Sequence, residues 1–391
     1  MAKFPKISEK IYLDYAATTP VDPRVLRAML PYFNKKFGNT MSLHYFGQEA
    51  KQVLEKSREE VAGLMFAEPD EIIFTSSATE SNNLALKGIA FANQKKGKHI
   101  IISSIEHPCI MESARWLERQ GFKVTRLPVN KYGYISPESV KKTIKKETIL
   151  VSVIHASNEI GTIQDIAEIG KICGQKDVYF HTDAAQSFGK IPVNVKKMKV
   201  DLLSASSHKM YGPKGAACLY VRKGTNIEPI LHGGGQEQGL RSSTVNAAAV
   251  VGFAQACKIA KRNMSIEGKR ISGLRDRLIK GVLKKVHGSY LNGPLRKRLP
   301  NNANFRFKGV EGESIVIQLD LLGIAASTGS ACSSARLETN HVLLAIGLKH
   351  EQAHSSLRLS LGRWTKESEI NYLLKVLPEV IGRLRKISGK I

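Results

Sequence analysis

The chain has 391 residues, 42% of them hydrophobic and 24% charged, which is enough for one large domain and a smaller one, each with a buried core. Its 59 basic and 34 acidic side chains give a net charge of +25, dispersed over clusters at 95–98, 141–146, 196–199, 296–298 and the tail from 383. No apolar run approaches the roughly 18 residues of a membrane span, and the five cysteines (Cys109, Cys173, Cys218, Cys257, Cys332) contain no C-x-x-C pair, which argues against a zinc site and a disulfide framework.

The opening residues MAKFPKISEK lack the apolar stretch of a secretory signal, so a cytoplasmic protein is expected. From about residue 70, short β-branched runs alternate with amphipathic stretches. The expected strands are 72–75, 99–103, 123–127, 149–155, 178–182, 202–205 and 216–221, with helices at 81–92 and 110–120. This alternation predicts an α/β domain with a mostly parallel sheet between helices. A long basic amphipathic helix is expected over 265–286, followed by short strands and helices that end in 366–385. The expected division is a large domain over 13–258 and a smaller α+β domain built from 1–12 and 259–391. Sheets of this kind bind ligands at the carboxyl ends of their strands, so residues just after strands are the first candidates.

Lys209 follows the strand 202–205 in Ser206-Ser207-His208-Lys209 and precedes a glycine- and proline-rich turn, Met210-Tyr211-Gly212-Pro213. A lysine there is suited to a Schiff base with an aldehyde cofactor; a plain surface lysine is the alternative. Asp183 ends the strand 178–182 in Asp183-Ala184-Ala185-Gln186. An aspartate on a rigid strand end can keep a pyridoxal ring nitrogen protonated, and the two alanines let a flat ring approach the backbone. Gln186 is placed to reach the ring hydroxyl. Thr75-Ser76-Ser77-Ala78-Thr79-Glu80-Ser81 joins a strand to a helix with small and hydroxyl side chains, the pattern of a phosphate site at a helix N-terminus. His107 follows a strand and a short turn, where an imidazole can stack on a ring.

Cys332 lies in Ala326-Ser327-Thr328-Gly329-Ser330-Ala331-Cys332-Ser333-Ser334, a run of small residues that predicts a mobile loop, about 326–340, carrying a nucleophilic thiol. Arg358 alternates out of an apolar strand, Leu357-Arg358-Leu359, and can clamp a carboxylate by a bidentate pair or serve as an inward structural arginine. No nucleic-acid motif accompanies the positive charge, so nucleic acid is not expected as a direct ligand.

Taken in order, from Tyr12-Leu13-Asp14-Tyr15-Ala16-Ala17-Thr18-Thr19 to Arg363, these segments resemble the NifS/IscS-type cysteine desulfurases, a class V group of fold-type I pyridoxal-phosphate enzymes. The combination Asp183-x-x-Gln186, Ser206-x-His208-Lys209 and Ser330-Ala331-Cys332 is specific to that group. The resemblance implies that Lys209 binds pyridoxal 5′-phosphate covalently, that His107 stacks on the ring and relays protons, and that Asp183 holds the ring nitrogen. It implies Asn158 and Gln186 at the ring hydroxyl or substrate, and Ala78, Thr79, Ser206 and His208 at the phosphate. Thr244 would reach the phosphate of a neighbouring subunit, so a homodimer is implied, and Arg358 would bind the substrate carboxylate. L-Cysteine would yield L-alanine and a persulfide on Cys332, passed to a sulfur acceptor or iron–sulfur scaffold protein for cluster assembly or tRNA thiolation. No metal site is implied beyond a transient contact of Cys332 with iron–sulfur cargo.

The chain departs from the group's pattern at Thr40-Met41, where Pro-Ser is usual, at Ser243, where glycine is common, and at Ala335-Arg336 in the Cys loop. It stops at Ile391 without the longer tail of some members. The rival readings are an aminotransferase or selenocysteine lyase on the same fold, which need not use Cys332 in this way, and a non-catalytic basic protein that has kept the fold.

Overall fold

The computed structural model describes residues 10–328 and 339–389. Cys332, and with it most of the loop expected at 326–340, lies outside the described residues. The strands are β1 (Ile11–Tyr12), β2 (Ile72–Thr75), β3 (His99–Ser103), β4 (Lys123–Leu127), β5 (Thr148–Ser152) and β6 (Tyr179–Asp183). They continue with β7 (Leu202–Ser206), β8 (Ala217–Val221), β9 (Ser289–Asn292), β10 (Asn302–Phe307), β11 (Ile324–Ala325) and β12 (Ser356–Ser360).

Seven strands form one sheet in the order β2-β8-β7-β6-β5-β3-β4, parallel throughout except for β8, which runs antiparallel to both neighbours. Runs such as His99-Ile100-Ile101-Ile102-Ser103 are buried along their whole length, as a sheet covered on both faces requires. The side-chain period of two sends Ile101, Val151, Phe180 and Leu203 into one apolar core and Ile100, Ile102, Leu150 and Leu202 into the other. A third core, around Phe305, Ile315, Leu357, Leu359, Leu373 and Leu377, lies under the antiparallel sheet β12-β10-β9. β1 pairs in parallel with β11, tying the start of the described chain to this second body.

The helix expected over 265–286 is longer and starts earlier, at Ala247, and ends at Lys285. Asn246 caps it by accepting the Ala249 N–H. Its first half carries Val250, Phe253 and Cys257 into one large-sheet core, and its second half carries Ile271, Leu278 and Val282 into the third. The early turns are apolar on nearly every side because they are buried, so they show no amphipathic period. Ile259 and Ala260 still pack in the large-sheet core and Ile271 in the third, so the helix runs unbroken from one core to the other.

Two features aim the sheet's carboxyl edge. The turn after β7 is closed by Met210 N–H and Gly212 N–H donating to Ser207 O at 3.0 Å each. A Cβ at Gly212 would lie 1.9 Å from Ser207 Oγ, so any larger residue here must displace that hydroxyl. The second feature is an ion pair at the sheet's edge. Arg58 Nη1 and Nη2 donate to Glu237 Oε2 and Oε1 at 2.7 and 2.9 Å, and Phe74 N–H of β2 donates to the same carboxylate at 2.7 Å. Both partners are buried, so removing one leaves an uncompensated charge. Arg58→Met is expected to lower the unfolding free energy by about 3–5 kcal/mol, measured by urea denaturation. A loss under about 1 kcal/mol would show that the pair does not fasten the loop around Glu237 to the sheet.

Candidate active site

The carboxyl ends of β3, β6 and β7 and the N-terminus of the helix Ala78–Ala92 bring most of the candidate residues to one place. Asp183, the last residue of β6, is buried. Its Oδ1 accepts Ala185 N–H at 2.9 Å and its Oδ2 accepts Asn82 Nδ2–H at 2.8 Å. A carboxylate has about four acceptor positions, so these bonds orient it and leave capacity for a further donor.

Lys209 closes the turn after β7, and its Nζ donates to the main-chain oxygens of Ala16 and Ala17 at 2.8 and 2.6 Å. Gln186 Nε2 donates to the same Ala16 oxygen at 2.9 Å, while its Oε1 accepts from Lys190 Nζ at 3.0 Å. His208 Nδ1 lies 3.1 Å from Thr18 Oγ1, and its main-chain oxygen accepts Thr19 N–H at 3.0 Å. Burial, reinforced by Lys209, Lys190 and Lys214, pushes the His208 imidazole down to about 4. Ser206, the last residue of β7, is buried beside it.

His107 is the N-cap of the helix Pro108–Arg119, its Nδ1 accepting Cys109 N–H at 3.3 Å. Burial holds its imidazole below the ordinary range; Asp183 opposes this, and Lys209, His341 and Arg358 add to it. Those electrostatic contacts place His107 among the same groups. Ala78 and Thr79 open the helix Ala78–Ala92, whose N-cap Ser77 accepts Glu80 N–H at 3.1 Å. The first N–H groups of a helix have no partner within it and face whatever anion approaches.

Arg358 on β12 is buried, with Nη1 2.8 Å from Glu159 Oε1 and Nη2 3.1 Å from Asp14 Oδ1. Asn158 joins this group: its Nδ2 donates to Glu159 Oε1 at 2.6 Å. Thr244 stands apart, exposed on the loop before the helix Ala247–Lys285. That loop is fastened to the helix Ala78–Ala92 by Arg241 Nε donating to Glu80 Oε1 at 2.7 Å.

Several members of the site carried no signal of their own in the sequence. Residues 14–19 supply the Asp14 carboxylate, the Ala16 and Ala17 carbonyls and the Thr18 hydroxyl. Their only mark was the run of small residues at the start of the family resemblance. Asn82 is three residues after Thr79, one turn along the same helix face, and that spacing was the available clue. The residues present fit pyridoxal 5′-phosphate: a strand-end carboxylate with spare acceptor capacity, a lysine amine, an imidazole and a helix N-terminus each match one part of it.

Comparison with known proteins agrees with this chemistry. The aminotransferase class-V family model matches residues 11–373. The chain is 51% identical over 382 residues, 98% of its length and 97% of the relative's, to the cysteine desulfurase IscS of Dictyoglomus turgidum. Among solved structures, a NifS-like protein superposes with a TM-score of 0.90 at 39% identity, covering 96% of this chain and all of that one. The protein SspA, solved in complex with cysteine, superposes with a TM-score of 0.81 at 36% identity over 91% of this chain and all of that one.

Two buried histidines brace the strand end that carries Asp183. His181 on β6 bonds Ser152 Oγ and Ser204 Oγ at 2.8 and 3.1 Å, and His155 N–H donates to Asp183 O at 2.9 Å. Burial depresses His181 to about 3 and His155 to about 4. Each is neutral when folded yet protonates in the unfolded chain below its ordinary value of 6.5. Stability from this source is therefore complete above pH about 6.5 and is lost as pH falls toward the folded values, with a slope of up to about 1.4 kcal/mol per pH unit for each histidine. Urea denaturation at a series of pH values should show this decline, and His181→Gln should flatten it. An unchanged slope in that variant would contradict the assignment.

Proposed function

The chain belongs to the class-V aminotransferase family and is a pyridoxal-phosphate-dependent cysteine desulfurase, and we propose that Lys209, His107 and Asp183 form its catalytic centre with Cys332 as the thiol that takes the sulfur. The observation that carries this reading is the convergence, on one sheet edge, of the Lys209 amine on two carbonyls with the buried Asp183 carboxylate and the His107 imidazole.

When bound, the cofactor supplies an aldehyde for the substrate amine and a protonated ring that draws electrons from the substrate's α carbon. Asp183 would hold the proton on the ring nitrogen, its own oxygens fixed by Ala185 and Asn82. Ala78 and Thr79 main-chain N–H groups, with Ser206 and His208, would bind the phosphate. Lys209 would take the proton from the α carbon, and the Ala16 and Ala17 carbonyls would solvate the ammonium so formed. Arg358 would bind the substrate carboxylate by giving up Asp14, the longer of its two ion pairs and the more solvent-accessible partner, while Glu159 and Asn158 keep the guanidinium in place.

The Cys332 thiolate would then attack the substrate sulfur. A sulfur–sulfur bond forms, the carbon–sulfur bond breaks, and its electron pair stays on the carbon skeleton, which is protonated to L-alanine. Cysteine and one thiol become alanine and one persulfide, with no outside oxidant. Gln186 would face the ring hydroxyl with the second hydrogen of its amide, Lys190 fixing which way the amide points.

The working unit proposed is a homodimer. Leu30, Phe33, Phe37, Met41, Leu43 and Tyr45 are all exposed within one short stretch, with Leu43 90% accessible, and exposed apolar side chains gathered in this way suit an interface. A second copy over this surface is consistent with the expected reach of Thr244 across the interface. The division into a large cofactor-binding domain and a small domain is proposed on the separate apolar cores, and the persulfide sulfur is proposed to pass to an iron–sulfur scaffold protein or another acceptor. No described helix is long and apolar enough to cross a membrane. A cytoplasmic setting is proposed because Cys109, Cys173, Cys218 and Cys257 are all free thiols.

Four measurements test this reading. The cofactor-loaded protein given L-cysteine without reductant should gain one sulfur on the Cys332 peptide and release alanine. Cys332→Ser should bind the cofactor but lose turnover, and full activity in that variant would return the aminotransferase reading. Arg358→Lys keeps the charge but loses the planar fork, so KM for cysteine should rise about tenfold or more; an unchanged KM would place the substrate carboxylate elsewhere. Leu43→Asp should shift the protein toward monomer in sedimentation equilibrium, and an unaltered dimer would move the interface away from this surface.

A further inference from the structure

Cys109 has no part in the chemistry above, yet it lies at the centre of the polar network behind His107. Its Sγ is 3.0 Å from His107 Nδ1 and 3.1 Å from Asn82 Nδ2, the same amide nitrogen that donates to Asp183 Oδ2. The thiol thus touches the ring-face residue directly and, through Asn82, the residue assigned to the ring nitrogen.

The donors in this network determine where the protons sit. A main-chain N–H only donates, and that of Cys109, 3.3 Å from His107 Nδ1, is long enough to favour a lone pair there without fixing it. An amide NH2 also only donates, so Cys109 Sγ accepts from Asn82 and turns its own S–H to Nδ1. A neutral imidazole with its lone pair at Nδ1 carries its proton on Nε2. We propose that Cys109 is a positioning residue for His107, its S–H locking the imidazole in the Nε2–H tautomer so that the ring nitrogen outside this network is a proton donor.

The alternative is a thiolate–imidazolium pair, in which the proton has moved from sulfur to Nδ1. Burial opposes both charges: it lowers His107, with Lys209, His341 and Arg358 acting in the same direction and only Asp183 against, and it pushes the Cys109 thiol up to about 12. The same burial makes Cys109 a poor nucleophile, so it does not compete with Cys332 for sulfur.

Given the proton-relay role that the family resemblance implies for His107, the test reads the tautomer directly and the activity separately. Nitrogen NMR of 15N-histidine-labelled holoenzyme, with His107 assigned by its disappearance in His107→Gln, should show a pyridine-type Nδ1 and a pyrrole-type Nε2–H at neutral pH. Cys109→Ala should populate the Nδ1–H form and lower kcat about three- to tenfold, a fraction of the full value of an acid–base group, with KM for cysteine little changed. Cys109→Ser, which restores an O–H donor, should recover both. An imidazolium or a pyrrole-type Nδ1 in the parent protein, or an unchanged tautomer in Cys109→Ala, overturns the proposal. A fully active His107→Gln would instead overturn the catalytic role of His107, a failure distinct from a wrong tautomer.

Discussion

A lysine ammonium drawn into a cleft has to be solvated by something, and here two main-chain oxygens do it. Ala16 and Ala17 accept from Lys209 Nζ at 2.8 and 2.6 Å, and the rest of the site is arranged around that grip. The same short segment meets Gln186 through Ala16, His208 through Thr18 and Thr19, and Arg358 through Asp14. It follows β1, which pairs with β11 in the smaller body, while Lys209 leaves the large sheet at the end of β7. The cleft is therefore closed by a connection between the two bodies, and its geometry depends on both being folded.

The electrostatics follow from this placement. Lys209, Lys190 and Arg358 crowd cationic groups near one another, and burial, with Lys209 and Arg358 adding, brings Lys190 down to about 7. His107 and His208 are kept neutral, so they do not add to the positive charge. Asp183, Asp14 and Glu159 each face a specific partner, Asp14 and Glu159 both on Arg358.

The large sheet was legible in the sequence because its strands are buried on both faces and read as short β-branched runs; 72–75, 99–103 and 123–127 coincide with β2, β3 and β4. The long helix was half legible, since only its exposed second half shows a helical period. Lys209, Asp183 and His107 stood out in the sequence because each lies at or just after the end of a strand, where a sheet of this type places its chemistry. What could not be read was contact across the chain. Asp14 and Arg358 are 344 residues apart, and nothing local marks them as partners. The carbonyls of Ala16 and Ala17 have no side-chain signature at all. Cys109 looked like a spectator because its partners, Asn82 and His107, lie on different elements and meet only when the helix Ala78–Ala92 packs beside the helix Pro108–Arg119.

Lys209, gripped by residues 16 and 17, is proposed as the lysine that binds the cofactor. Borohydride reduction of the holoenzyme makes that bond permanent, and peptide mass spectrometry then locates it. The pyridoxyl group should be found on Lys209 and on no other lysine. Finding it on Lys190, a half-buried lysine close to Lys209, would contradict the assignment and with it the arrangement of the site.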